Sequence, residues 1–116
     1  MKPKRGEIWL IAFEPQIGAE IQKTRPGIIV STEDLDGYPL RIVMPIREHK
    51  VHHDEAFHYV SIEPSKTNAL TKKSSVDCLQ IKSFDTSRFK KKLGKLTDKE
   101  IKQILTALIV CVGYEG

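Results

Sequence analysis

The sequence predicts a mainly β fold, a small curled antiparallel sheet of short strands that carries one C-terminal helix. Three observations predict it. Short runs of β-branched and aromatic residues recur at close spacing, Pro and Gly punctuate the chain between them, and one stretch near the end repeats its apolar residues every three or four positions. The 116 residues, 40% apolar and 29% charged, suffice for one core and fall short of two, so residues 1–116 are expected to form a single domain.

The run Glu7-Ile8-Trp9-Leu10-Ile11-Ala12-Phe13 is apolar on both alternating faces, which reads as a well-buried strand with Trp9 packed in the core. Pro15 and Gly18 then force a loop that continues to Pro26, a residue suited to open a strand and unsuited to its middle. Gly27–Ser31 is the second strand, the turn Asp36-Gly37-Tyr38-Pro39 follows, and Leu40–Ile46 returns as a third strand, so these two form a hairpin. Further extended segments are expected at Tyr59–Ile62, Ser75–Ile81 and Phe89–Leu93, separated by Pro64, Asn68 and Asp85. In the last of these, alternation places Phe89, Lys91 and Leu93 on one face. Thr97 with Glu100 three residues on spells a capping box, and Ile101, Ile104, Leu105, Leu108, Ile109 and Val112 form the stripe of a helix that seals one side of the sheet. Gly113 ends it.

A net charge of +4 favours a polyanionic partner without naming one. The longest apolar stretch, Ile104–Val112, contains Thr106 and is far short of the roughly 20 residues that cross a bilayer, so no membrane partner is expected. The basic start runs straight into the first strand with no signal-peptide apolar region between, which sets the expected compartment as the cytoplasm. Cys78 and Cys111 lie far apart without CxxC spacing and are expected to be reduced core residues. Walker, GxGxxG, HExxH and GxSxG patterns are all missing, so P-loop hydrolysis, dinucleotide redox chemistry and the familiar hydrolase classes lose their support, and no cofactor is expected.

Three segments concentrate chemistry. The loop Gln16–Pro26 gathers Glu20, Lys23, Thr24 and Arg25 between two strands, and Pro26 fixes the backbone next to Arg25, whose guanidinium suits a bidentate phosphate clamp. The same charges also fit an ordinary solvated loop. His49, His52, His53 and His58 crowd one polar segment, which raises a metal site or a histidine base; without a Cys among them and without a helical face, a polar loop fits as well. Arg88-Phe89-Lys90-Lys91-Lys92-Leu93-Gly94-Lys95 is the densest basic run, either a solvated edge strand protected from aggregation or a rim that contacts phosphates.

These residues also carry a family likeness. Arg5-Gly6-Glu7-Ile8-Trp9-Leu10, Phe13-Glu14-Pro15 with Gly18-Ala19-Glu20, and Lys23-Thr24-Arg25-Pro26 leading into an apolar strand resemble the opening of the MazF/PemK-type toxins. Val43-Met44-Pro45-Ile46 resembles that family's second motif, and Gln80 through Phe89 its third. The resemblance implies a PemK/CcdB-like, SH3-like barrel of five to seven strands with a C-terminal helix, usually a homodimer. It implies the toxin of a type II toxin–antitoxin pair, an endoribonuclease that needs no metal and cuts single-stranded RNA such as mRNA at short motifs, leaving 2′,3′-cyclic phosphate and 5′-hydroxyl ends. A MazE-type antitoxin with an acidic, apolar tail is the implied partner.

Carried over residue by residue, the resemblance makes Arg25 the catalytic arginine and Glu20 a loop glutamate that orients it or shares proton transfer. Lys23, Thr24, Gln80, Lys82 and Arg88 become RNA contacts. Two positions depart from the pattern. Arg47 stands where many members carry a threonine or serine that touches the scissile phosphate, and Leu79 stands where an aspartate commonly precedes the glutamine, with Asp77 two residues earlier. Arg47 is taken as a charged phosphate contact. The departures leave two rival expectations, a binding module of the same fold that no longer cuts RNA and a toxin that poisons a topoisomerase.

Overall fold

The computed structural model describes residues 2–13, 18, 19, 23–35 and 37–116. Among them, seven strands and one helix follow the chain: β1 (Glu7–Ala12), β2 (Thr24–Ile29), β3 (Leu40–Glu48), β4 (Tyr59–Ile62), β5 (Ser74–Asp77), β6 (Lys82–Asp85), β7 (Phe89–Lys95) and α1 (Asp98–Cys111). All pairings are antiparallel, in the order β4-β5-β3-β2-β1-β7, with β6 also on β3. The expected mainly β architecture with a terminal helix is therefore present, and the β2–β3 antiparallel pair matches the expected hairpin.

Side-chain alternation sorts the apolar residues onto two faces. Ile8, Ile28, Met44 and Ile46 pack with Ile101 and Ile104 of α1, whereas Trp9, Ile11, Phe13, Ile29 and Val43 join Phe89 on the other face. Trp9 meets Phe89 edge to face at 6.0 Å between ring centroids, a core residue as expected. Each such aliphatic side chain, wholly withdrawn from water, contributes about 1.5–3 kcal/mol.

Several expectations need correction. Pro26 lies inside β2, which starts at Thr24 and not at Gly27. The sheet tolerates it because residues 24–26 pair only with β1; pairing with β3 begins at Gly27↔Pro45, so the missing N–H of Pro26 falls where no ladder bond is required. Pro45 uses the same device on β3, between the last rung with β6 at Val43 and the first rung with β5 at Ile46. The strand expected at Ser75–Ile81 stops at Asp77, whose side chain accepts the Leu79 N–H and caps a 3₁₀ turn, Cys78–Gln80. The chain then resumes as β6, which the sequence reading missed.

In β7 the expected alternation fails. Register shifts opposite Ile8/Trp9 and Leu10/Ile11 send Phe89 into the second cluster while Leu93 packs against the first, and Lys91 is exposed. The strand does lie at the end of the sheet order, with Lys92 Nζ 2.9 Å from Glu7 Oε2.

The helix begins as the sequence spells it, with Thr97 and Glu100 capping each other reciprocally. Its stripe, however, is narrower than expected. Ile101 and Ile104 are buried and Leu105, Leu108 and Cys111 pack against the same cluster, but Ile109 is 44% and Val112 68% exposed. Both cysteines are reduced; Cys78 is buried, while Cys111 on the last turn is half-buried.

Gly94 of β7 marks the tightest approach in the fold. A Cβ there would lie 2.5 Å from the Thr67 carbonyl oxygen and 2.7 Å from the Asn68 carbonyl carbon, both backbone atoms that cannot rotate away. Gly94→Ala is therefore expected to cost about 2 kcal/mol or more through overpacking. Gly37→Ala, with nothing within 4 Å of the added carbon, is the control and should leave the urea midpoint nearly unchanged.

Candidate functional site

Where β2 and β3 part company, they leave a wedge. Arg25 and Arg47 each lie two residues beyond the last rung that joins these strands, Gly27↔Pro45, and the space between holds no ladder bonds. Arg25, Pro26, Ile46, Arg47 and Glu48 form one wall of a groove of about 360 Å³. The segment Ala69–Lys72, with Ser74 and Leu93, forms the other.

Both walls are held in unusual backbone. Lys23, two residues before Arg25, has φ 69°, and Ala69 on the facing wall has φ 59°, left-handed values that cost a non-glycine residue roughly 1–2 kcal/mol. Lys23 is tied down where its carbonyl accepts the Phe13 N–H at 2.9 Å, which turns the chain into β2. On the other wall, Asn68 is fully buried. Its Oδ1 accepts the N–H groups of Ser65 and Leu70, each at 3.0 Å, and its Nδ2 donates to the Glu63 carbonyl. Strain at Ala69 in the groove wall and at Lys23 just upstream of Arg25, against a preformed hydrogen-bond frame, is the pattern expected of a working site.

The groove's charge is predominantly positive. Arg25 is half-buried and Arg47 is 39% exposed at its side chain. Glu48, the one carboxylate among the described lining residues, lies 3.7 Å from Lys72 Nζ and 3.8 Å from Lys50 Nζ, so its charge is shared between two ammonium groups. Two guanidinium groups and a lysine thus converge on a space sized for a phosphate and its sugar, and dianionic or phosphodiester groups are the chemistry it fits.

The other sequence candidates are distributed around this centre. Lys23 and Thr24 are exposed just upstream of Arg25. Gln80 and Lys82 border a separate hollow of about 300 Å³ with Ala19, Leu79 and Ile81, and the Gln80 side-chain amide donates to the Ala19 carbonyl at 3.3 Å, tying this rim to the β1–β2 connection. Arg88 does not line the groove. It donates to the Ala12 carbonyl at 3.1 Å with its guanidinium 4.8 Å from the Phe84 ring centroid, buttressing the end of β1. Glu20 lies outside the described residues, as do Gln16 of the same loop and Asp36 of the expected turn. Of the basic run offered as a phosphate rim, the groove takes only the apolar Leu93. Leu70, Thr71, Lys72 and Ser74 carry no motif in the sequence; only the Lys72-Lys73 pair offers a signal, and it is indistinguishable there from a solvated surface.

The histidines build a support. Among the described residues, no group of three or more His, Cys, Asp or Glu side chains could hold a metal ion. His53 is buried and stacked on Tyr59 at 3.9 Å. Its Nδ1 accepts the Lys50 N–H at 3.1 Å and lies 2.9 Å from Ser75 Oγ, so that nitrogen carries no proton. His49 Nε2 meets Asp54 Oδ1 at 2.8 Å, pinning the 3₁₀ turn Val51–Glu55 beside β4, and that contact holds the Asp54 carboxyl below its ordinary range.

A small basic barrel whose sheet opens into a cationic groove defines a phosphate-handling, nucleic-acid-directed class of protein. The family model of the PemK-like, MazF-like toxins of type II toxin–antitoxin systems matches residues 4–112, and the chain belongs to that family. It is similar to an Endoribonuclease MazF of Staphylococcus saprophyticus, 28% identical over 110 residues that cover 95% of this chain and 91% of the relative. Among solved structures it resembles MazF of Deinococcus radiodurans, with a TM-score of 0.79 at 21% identity over 96% of both chains. It also resembles an endoribonuclease in complex with its cognate antitoxin from a mycobacterial species, with a TM-score of 0.77 at 19% identity over 99% of both chains. These likenesses bear out the barrel fold and the family expected from the motifs.

Burial, together with the cationic neighbours His52, Arg47 and His49, pushes the His53 pKa below its ordinary 6.5. The unfolded chain then binds this proton more readily than the folded one, so stability contributed by neutral His53 is present above pH 6.5 and falls as the pH drops from there through the folded value. Urea midpoints at pH 7.5 and 5.5 should diverge less in His53→Phe than in the wild type; an undiminished pH difference would show that other groups carry it.

Proposed function

We propose that this chain cuts single-stranded RNA in the groove between β2 and β3, with Arg25 as the catalytic residue and no metal ion. As a member of its family it is a toxin endoribonuclease of a type II toxin–antitoxin system. The observation that carries the residue assignment is the convergence of Arg25 and Arg47 on one cationic groove.

In this reading the RNA supplies its own nucleophile. The ribose 2′-oxygen bonds to the adjacent phosphorus and loses its proton, the bond from phosphorus to the 5′-oxygen breaks, and that oxygen gains a proton. The products are a 2′,3′-cyclic phosphate and a 5′-hydroxyl. Negative charge builds on the non-bridging oxygens as phosphorus becomes five-coordinate, and a fixed guanidinium stabilises that state more than the starting phosphodiester. Arg25 supplies it, with Pro26 limiting the backbone freedom behind it. Arg47 takes a neighbouring phosphate oxygen. An arginine that is always protonated is unsuited to removing the 2′ proton, so Glu20 or a water is assigned that transfer. Lys23, Thr24, Gln80, Lys82 and Arg88 extend the contact surface along the strand, Arg88 by fixing the end of β1.

The same groove is the docking place for a MazE-type antitoxin, whose acidic segment would compete with RNA for both guanidinium groups. The toxin is read as a homodimer, and the exposed apolar end of α1 at Ile109, Val110 and Val112 offers surface for subunit contact. No helix among the described residues is long and apolar enough to cross a membrane. Cytoplasmic mRNA is the natural substrate pool.

A binding module that no longer cuts is the second reading, favoured by the guanidinium of Arg47 where the family pattern has a hydroxyl. Incubation with a long single-stranded RNA in EDTA decides between them. Cuts at fixed sites with 5′-hydroxyl ends are expected, reduced about 10²–10³-fold in Arg25→Ala, the scale for loss of a transition-state charge donor. Arg25→Lys should also be impaired, because an ammonium cannot reproduce a planar two-point contact. Salt-sensitive binding without cleavage would establish the second reading.

A further inference from the structure

We propose that Asp77 is a positioning residue for Arg47, a buried carboxylate that aims the second guanidinium into the groove. The inference rests on the groove being the RNA site.

Asp77 is an unusual group to find where it is. Its side chain is 4% exposed, on a strand flanked by β3 and β4, and a carboxylate so withdrawn from water needs a compensating charge. One of its oxygens, Oδ1, accepts the Leu79 N–H at 3.2 Å, which fixes the carboxylate plane against the 3₁₀ turn. The other, Oδ2, lies 4.0 Å from Arg47 Nη1. The other titratable groups near Asp77 are His53, whose pKa burial lowers, and the Cys78 and Cys111 thiols, the former pushed up to about 12 chiefly by burial. Arg47 is thus the cation available to it.

Register explains how the two meet. Arg47 pairs with Ser75 across β3 and β5, so Asp77, two residues on, is the diagonal neighbour on the same face, within reach of a long side chain. At 4.0 Å the attraction steers the guanidinium without consuming it in a two-point ion pair. Its other N–H donors are not consumed by that contact, and Arg47 lines the groove with Arg25, Lys72 and Ser74. The carboxylate is anchored by backbone and the arginine is half-exposed, so the buried partner sets the geometry and the exposed one follows. Two positions that the sequence presents separately, Arg47 and Asp77, therefore act as one unit.

A double-mutant cycle of wild type, Asp77→Asn, Arg47→Thr and the double variant tests this, with kcat and KM measured on single-stranded RNA in EDTA and thermal unfolding followed in parallel. Asp77→Asn removes a negative charge near the phosphates, so a purely electrostatic role would tighten RNA and leave kcat unchanged. Positioning predicts the opposite split: kcat falls about tenfold while KM stays level or drops, and in the Arg47→Thr background the same change alters kcat less than twofold. Thermal stability should also rise when Asp77→Asn is added to Arg47→Thr, since an unpaired buried carboxylate is removed.

Equal losses of kcat in both backgrounds, or wild-type kcat in Arg47→Thr, would overturn the proposal. Should Asp77→Asn fail to fold, Asp77→Glu keeps the charge and displaces it, and a several-fold loss that vanishes with Arg47→Thr is expected. If the wild type itself leaves RNA uncut, the nuclease reading falls. The cycle is then read in affinity for a 2′-O-methyl RNA, where non-additive losses support positioning and additive ones overturn it.

Discussion

The groove exists because β3 changes partners in mid-strand. Its first half is clasped between β2 and β6, its last residues pair with β5, and Pro45 stands at the changeover, where a missing N–H leaves no unmet bond. Once β3 turns toward β5, the start of β2 is left with β1 alone, and Pro26 stands at that opening for the same reason. The two prolines are thus the chemical record of where the ladder stops. Each is followed or preceded within two residues by an arginine that inherits the resulting gap, and the sheet's own topology brings these cations together without any dedicated loop.

Like charges gathered in this way repel, and the fold answers that cost in two places. Glu48 spreads its charge over Lys50 and Lys72 at the rim, at distances where exposed pairs contribute only about 0.2–1 kcal/mol. Asp77, deeper, is itself withdrawn from water and faces the half-exposed Arg47 at 4.0 Å. Rim and base therefore differ in degree: both partners of the rim pairs are exposed and readily screened by salt, whereas at the base one partner is buried and screening is weaker. A phosphodiester entering the groove meets an arrangement whose orientation was set before it arrived, which is what makes a charge donor effective at a transition state.

The sequence made the scaffold legible to the extent that local chemistry decides it. Apolar alternation marked β1, the Thr97–Glu100 reciprocity marked the start of α1, and the proline-flanked arginine marked the centre of the site. What escaped was decided by pairing. Pro26 inside β2, the bulges that part Phe89 from Leu93, and the exposure of Ile109 and Val112 depend on which neighbour is present at each rung or beneath each turn, and periodicity in one strand carries no record of that. Ser75–Ile81 reads as one strand because no Pro or Gly interrupts it and Val76 and Ile81 favour extended backbone; Asp77 breaks it by offering its own side chain to the Leu79 N–H. The same residue was legible as a carboxylate and illegible as a partner of Arg47, since 30 positions separate them and only the β3–β5 register joins them.

The wall opposite the arginines shows why a site of this kind must be rigid on both sides. Residues 63–72 carry little regular structure, and a chain segment of that length would ordinarily sample many conformations. Asn68 removes that freedom by standing in for a backbone turn, accepting two N–H groups and donating to a carbonyl from a fully buried position. Gly94 then lets the Thr67–Asn68 backbone approach β7 to within the space of a missing methyl, and Lys95 N–H donates to the Thr67 carbonyl at 2.9 Å. The wall that ends in Ala69, Leu70 and Lys72 is consequently fastened to the strand that pairs with β1, and β1 pairs with the strand that carries Arg25. Both sides of the groove hang from one hydrogen-bonded series, from the Thr67 carbonyl through β7 and β1 to β2, so its width is a property of the sheet and not of either loop.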